Sequence, residues 1–113
     1  MSESDIRSVQ AVLEGIRAHA LTNNVRITQH AQQEMAEEDI TLDEVLQSIA
    51  SAQLLENYPE HRRGPCCLLS GRTTNSRPVH IVCTTAQAAL IIITVYEPKP
   101  PKWVTPTQRR QEG

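Results

Sequence analysis

Apolar positions recur at helical spacing through the first fifty residues and at strand spacing after them. Ile6, Val9, Val12, Leu13, Ile16 and Ala20 return every three or four residues across residues 5–22, with Arg7, Glu14 and Arg17 turned to the other side, which predicts an amphipathic helix. Thr22-Asn23-Asn24 stops it, because Asn tolerates the left-handed conformation that ends helices. Val25-Arg26-Ile27 is too short to define a strand, and Thr28 caps a second helix over residues 29–38 whose apolar face, Ala31, Met35 and Ala36, is thin. Thr41-Leu42-Asp43-Glu44 has the form of a capping box, and Val45, Leu46, Ile49 and Ala50 then line one face of a third helix.

After Ala52 the pattern becomes short apolar runs separated by turn residues. Leu54–Tyr58, Cys66–Ser70, Val79–Thr84 and Leu90–Tyr96 read as strands, joined by 59–65, 71–78 and 85–89. Connections this short favour antiparallel hairpins, since a parallel crossover needs roughly a dozen residues or more. The predicted fold is α+β, with N-terminal helices packed on a twisted antiparallel sheet of about four strands. Residues 1–103 are expected as one domain and residues 104–113, ending Arg109-Arg110-Gln111-Glu112-Gly113, as a flexible tail.

Composition narrows the chemistry of that core. The 113 residues include no Phe and one Trp, so the interior must be built from aliphatic side chains. Three cysteines, Cys66, Cys67 and Cys83, are odd in number, and the adjacent pair points to opposite faces of a strand. Small buried thiols in a reducing cytoplasm are therefore expected, and burial would leave them inert as nucleophiles. The acidic start, Met1-Ser2-Glu3-Ser4-Asp5, has no leader pattern, and no run of about 18 apolar residues exists, so no membrane partner is expected.

The net charge of −2 conceals an asymmetry. Residues 1–60 carry three basic and eleven acidic side chains, net −8, whereas residues 61–113 carry eight basic and two acidic, net +6. Such a cationic half suits an anionic partner, nucleic acid above all, unless the halves neutralise each other across the fold.

The end of the last strand draws the candidate chemistry together. Two of the three aromatic residues, Tyr96 and Trp103, lie in the stretch from the aliphatic strand through Glu97-Pro98-Lys99-Pro100-Pro101-Lys102. His80 lies in the preceding strand on the face shared with Val82 and Thr84. It shares a face with Tyr96 if the register allows, with Ile92, Thr94 and Tyr96 expected on one side and Ile91, Ile93 and Val95 on the other. Arg62, Arg63, Arg72, Arg77, Lys99 and Lys102 could contact phosphates from loops, and Trp103 or Tyr58 could stack a base. Each also has a structural reading: His80 as a packing residue, Tyr96 as an anchor of the sheet corner, His30 as a fastening of its helix to the sheet. His30 and Glu34 stand four apart on a helix face, a spacing that can present two metal ligands. His61 or His80 would have to join them, so no metal and no cofactor is expected.

A set of short motifs resembles one known family. Thr28-Gln29-His30-Ala31, Ile40-Thr41-Leu42-Asp43-Glu44-Val45, Glu56-Asn57-Tyr58-Pro59, Cys67-Leu68-Leu69-Ser70-Gly71, Arg77-Pro78-Val79-His80, Ile93-Thr94-Val95-Tyr96-Glu97-Pro98 and Trp103 follow in the order of a bacterial family of small domains of unknown function. That family is grouped with the RelE-like and BrnT-like toxins of type II toxin–antitoxin systems. The resemblance covers residues 25–103. It implies a RelE-like fold, metal-independent endoribonuclease activity on mRNA or at the ribosome, and an antitoxin protein encoded nearby. His and Tyr suit the proton transfers that such cleavage needs, so His80 and Tyr96 are the expected catalytic pair. This chain departs from the family in placing Glu34, Glu37, Glu38 and Asp39 where many members have Arg, and an acidic helix on the substrate face would repel RNA. The alternative expectation is a non-catalytic module that engages a protein or a nucleic acid through the same scaffold.

Overall fold

The structure is a computed structural model and describes residues 3–58, 64–85 and 88–110, with side chains described from Val9 onward. Its elements are α1 (Glu3–Leu21), β1 (Val25–Ile27), α2 (Gln29–Glu38), α3 (Leu42–Ala50), β2 (Gln53–Tyr58), β3 (Cys66–Arg72), β4 (Pro78–Thr84), β5 (Leu90–Tyr96), β6 (Trp103–Thr105) and β7 (Gln108–Arg109). No helix among the described residues is long and apolar enough to cross a membrane.

The expected local signals close the helices. Asn23 takes a positive φ of 57° just past α1, and the Thr28 hydroxyl accepts from the Ala31 N–H at the start of α2. Thr41 and Glu44 form the reciprocal capping box of α3. Arg17 is not turned away. Its guanidinium donates to the Ile49 and Ala52 carbonyls, placing a cation at the C-terminal end of α3, where the helix dipole favours one.

Strands β2 to β5 form the antiparallel meander that short connections require, but the sheet has five strands in the order β1-β5-β4-β3-β2. Strand β1, too short to declare itself by alternation, pairs in parallel with Leu90–Ile92 of β5 and makes the sheet mixed. The reason is topological. Helices α2 and α3 form a long connection over one face, which lets β1 lie at the edge opposite β2. Ile16, Met35, Val45 and Ile49 from the helices meet Leu69, Ile81, Ile92 and Val95 of the sheet in this main core. The Cys67 and Cys83 sulfurs sit there 4.0 Å apart as buried free thiols.

A bulge changes the faces of β5. Pairing steps from Val82↔Thr94 to Cys83↔Ile92, leaving Ile93 as an extra residue. Ile92 therefore joins Val95 in the helix-covered core, whereas Thr94 and Tyr96 face away, which corrects the uninterrupted alternation expected for this strand.

The same geometry explains the acidic second helix. Beyond Ile92, β5 has no β1 residue beside it, and α2 lies along the open edge. Glu34 accepts from the Val95 N–H at 3.0 Å and Glu38 from the Glu97 N–H at 3.2 Å, satisfying donors that β1 does not reach. Burial raises the Glu34 pKa, with the Val95 N–H pulling the other way. These carboxylates close the sheet edge.

Residues 104–109, expected as part of a flexible tail, lie in a paired ribbon. Strands β6 and β7 pair as a separate two-stranded sheet, and Trp103 and Arg109 anchor it to the side chains of the main sheet that face away from the helices. The last three residues of the expected tail, 111–113, lie outside the described residues.

Candidate functional site

The sheet face opposite the helices carries a polar row assembled by register. Ser70 of β3 pairs with His80 of β4, and His80 pairs with Tyr96 of β5, so three polar side chains from three strands project together. One step along, Glu56 of β2 pairs with Leu68, and Tyr58 follows two residues later on the same side. The ribbon lies over this group.

His80 is fully buried, and both of its ring nitrogens are engaged. Nε2 lies 2.5 Å from the Pro106 carbonyl and Nδ1 lies 3.1 Å from the Tyr96 hydroxyl. A carbonyl can only accept, so Nε2 carries the proton, and in the neutral ring Nδ1 accepts from Tyr96. Burial lowers the His80 pKa, while the bond to Pro106 opposes the shift. Burial likewise raises the Tyr96 hydroxyl, so the pair rests as neutral imidazole and neutral phenol.

Trp103 closes the top of the ring. Its indole stands edge-on to His80 at 4.4 Å between centroids and is 2% exposed. The indole N–H is buried without a hydrogen-bond partner among the described residues. It faces the Tyr96 hydroxyl closely enough to oppose the upward shift but outside hydrogen-bond geometry, and burial prevails.

A second polar cluster secures the ribbon. Arg109 donates through Nε to one Glu56 oxygen at 2.5 Å and through Nη2 to the other at 2.7 Å, the two-pronged geometry that suits guanidinium and carboxylate. Its guanidinium carbon lies 4.6 Å from the Trp103 ring centroid, and the Tyr58 hydroxyl donates to Glu56. Arg109 holds the Glu56 carboxyl down at about 2, whereas burial and the Glu56 charge push Tyr58 up to about 12.

These shifts fix a pH dependence. The folded His80 pKa lies below its ordinary 6.5, so its contribution to stability is complete above pH 6.5. Below that the unfolded chain takes up a proton that the folded ring resists. Glu56 adds stability that is complete above 4.5 and is lost as the pH falls toward about 2. Glu34, raised by burial, opposes this trend within the carboxylate range. Unfolding free energy measured by urea titration is expected to decline below pH 6.5 by at most about 1.4 kcal/mol per pH unit for the single histidine. His80→Gln should flatten the part of the profile just below pH 6.5. An unchanged slope in that variant would exclude His80 as its source.

The structure unites His80, Tyr96, Trp103 and Tyr58, and it disperses the other candidates. Arg77 bonds Glu97 at 2.6 Å and the Glu38 and Asp39 carbonyls, a cationic clamp on the C-terminal end of α2. Arg72 bonds the Ser76 carbonyl and borders a groove of about 210 Å³ lined also by Ser51, Gln53, Ser70, Gly71, Pro106 and Thr107. Lys99 lies 4.0 Å from Glu38, and Lys102 is exposed. His30 is exposed on α2, its Nε2 3.3 Å from a Glu34 carboxylate already engaged with β5. Arg62, Arg63 and His61 lie outside the described residues. No group of three or more His, Cys, Asp or Glu among the described residues could hold a metal ion. The cation-rich second half is thus partly neutralised within the fold, through Arg77, Lys99 and Arg109.

Sequence reasoning missed Glu56, Ser70 and Arg109. Alternation placed Glu56 and Tyr58 on one face of their strand, which was the available signal for the carboxylate. Arg109 gave none, because its partner lies 53 residues away.

Residues 27–97 match the model of a family described as Domain of unknown function (DUF4258). The chain belongs to this family. No curated protein and no solved structure matches it. The DUF4258 segment contains Glu56, Tyr58, Ser70, His80 and Tyr96 but neither α1 nor the ribbon. In this member the residues that bear the polar face therefore come from the family domain, and those that cover it come from beyond its matched end.

Proposed function

We propose that this DUF4258 protein is a RelE-like endoribonuclease of a toxin–antitoxin pair, with its centre on the sheet face of His80 and Tyr96. The observation that carries the reading is the direct pairing of these two residues, joined through Nδ1 and the hydroxyl, on the face away from the helices. Metal-independent RNA cleavage requires removal of the 2′-hydroxyl proton, protonation of the leaving 5′-oxygen and stabilisation of charge on the phosphorane. Neutral His80 and protonated Tyr96 carry the protonation states of a base and a proton donor. The step requires the Tyr96 hydroxyl to turn its proton from Nδ1 to the leaving 5′-oxygen, which frees Nδ1 to take the 2′-hydroxyl proton. Arg72, Lys99 and Lys102 are the described cations assigned to the RNA backbone, with an antitoxin as the inhibitory partner. The acidic face of α2 is compatible with this assignment because Glu34 and Glu38 are directed to the β5 edge.

Expression of the protein alone is expected to arrest bacterial growth, and the purified protein to cut single-stranded mRNA without added metal. His80→Ala should reduce the cleavage rate by about 10²–10⁴-fold and Tyr96→Phe by a smaller factor, with folding checked by circular dichroism. Cleavage at the parental rate by both variants would reject the assignment.

The engagement of both His80 nitrogens under a closed ribbon favours a second reading, a non-catalytic binding module. It requires a stable complex without cleavage, and a complex with nucleic acid would weaken steeply with salt.

A further inference from the structure

We infer that the β6–β7 ribbon is a displaceable strap that shuts the His80 centre, so that access of RNA requires residues 103–109 to lift. The inference rests on the reading of this face as a cleavage site and concerns how that site is regulated. Three independent features of the ribbon support it.

First, the strap lies beyond the segment that the family model matches and is not part of the main sheet. The matched segment ends at Glu97, and the ribbon follows Pro98-Lys99-Pro100-Pro101-Lys102 as a sheet of its own. A two-stranded ribbon with strands of three and two residues has little stability by itself and depends on what it docks against.

Second, it docks through a few side-chain contacts. Arg109 grips Glu56, the Pro106 carbonyl accepts from His80 Nε2 and from the Ser70 hydroxyl at 3.3 Å, and Trp103 covers the imidazole. Every one of these partners is a polar or ring group that water or a nucleotide could engage once the strap has left. The groove of about 210 Å³ between Pro106-Thr107 and the Ser51, Gln53 and Arg72 side forms an open seam beside the docked turn.

Third, the docked state leaves the Trp103 N–H without a hydrogen-bond partner among the described residues. Burying the Trp103 N–H without a partner opposes docking, and lifting the ribbon would return that group to water. The aromatic burial that holds the strap is thus counterbalanced at the same residue, and the Arg109–Glu56 pair becomes the latch.

The test uses the full-length protein and reads His80 exposure separately from activity. Reaction with diethyl pyrocarbonate, located by mass spectrometry, reports access to each imidazole, with exposed His30 as the internal reference. Arg109→Glu places a carboxylate against Glu56 and is expected to raise His80 labelling relative to His30 by at least about tenfold, and RNA cleavage with it. Arg109→Ala is the milder opening variant should the reversal impair folding. The exchange Glu56→Arg with Arg109→Glu restores the pair and should return both readouts toward the parental values. Unchanged His80 labelling in folded Arg109→Glu and Arg109→Ala overturns the strap. Where the parental protein cuts RNA measurably, increased labelling with cleavage that stays at the parental rate overturns it as well. Increased labelling with no cleavage by the parental protein or by any variant supports a displaceable ribbon and rejects the nuclease reading.

Discussion

Gly71→Ala is expected to destabilise the protein by about 3 kcal/mol or more, at or beyond the upper end of ordinary overpacking, and to lower Tm by on the order of 10 °C. A Cβ at this position would lie 1.9 Å from the Ser48 carbonyl oxygen and 2.7 Å from its carbon. Both are backbone atoms, so no side chain can rotate out of the way. The requirement is one of space, at the close approach of β3 to α3. Neither element moves easily. The capping box fixes the start of α3, and Arg17 binds carbonyls at its end. Ser51 is joined to Arg72 by two hydrogen bonds, and Ile49 is fixed in the core. Relief would need a backbone shift of about an ångström or more through a close-packed interior. Urea and thermal unfolding measure the loss directly. A fall in Tm of less than about 2 °C would show that α3 rides over the sheet more freely than this packing allows.

Trp103→Ala is expected to have the next largest effect, with a different distribution. Removing a buried Trp costs roughly 3–5 kcal/mol when the residue belongs to a cooperative core. Here the indole belongs to a ribbon with a sheet of its own, so the loss is limited to the free energy of docking. The expected product is a released ribbon on an intact domain. Hydrogen exchange should accelerate at residues 103–110 and remain slow in β3, β4 and β5, while far-ultraviolet circular dichroism changes little. Trp103→Phe should behave quite differently. It keeps a ring over His80 and removes the unpartnered N–H, which offsets the lost contact area, so the ribbon should stay docked. Equal release by Phe and Ala would mean that the indole nitrogen holds the ribbon through a bond absent from this geometry. Global unfolding of the Ala variant would mean that the ribbon belongs to the main cooperative unit.

Much of the fold was legible because its signals are local. The capping box at Thr41, the Asn stop after α1 and the apolar stripe of α3 each lie within one or two helical turns. Strands β3, β4 and β5 announced themselves as short β-branched or apolar runs between turn residues. The candidate site was legible in part. His80 and Tyr96 could be placed on one face, but the face itself depended on whether β5 alternated without interruption. It does not, and the bulge at Ile93 moves Ile92 into the helix-covered core while leaving Tyr96 opposite His80. In sequence the acidic cluster of α2 presents an obstacle to RNA, because a carboxylate that terminates a sheet edge looks there like one that faces water.

By itself, then, the sequence determined the helices, the meander, the aliphatic character of the core and the types of residue available for acid–base work. Periodicity and capping are properties of neighbours, and neighbours are what a sequence displays. Only the tertiary structure decided that β1 lies beside β5 and that Glu34 and Glu38 close the edge beyond it. It also decided that residues 103–109 turn back over His80. Those outcomes depend on partners such as Glu56 and Arg109, 53 residues apart, whose meeting follows from the packing of the whole chain.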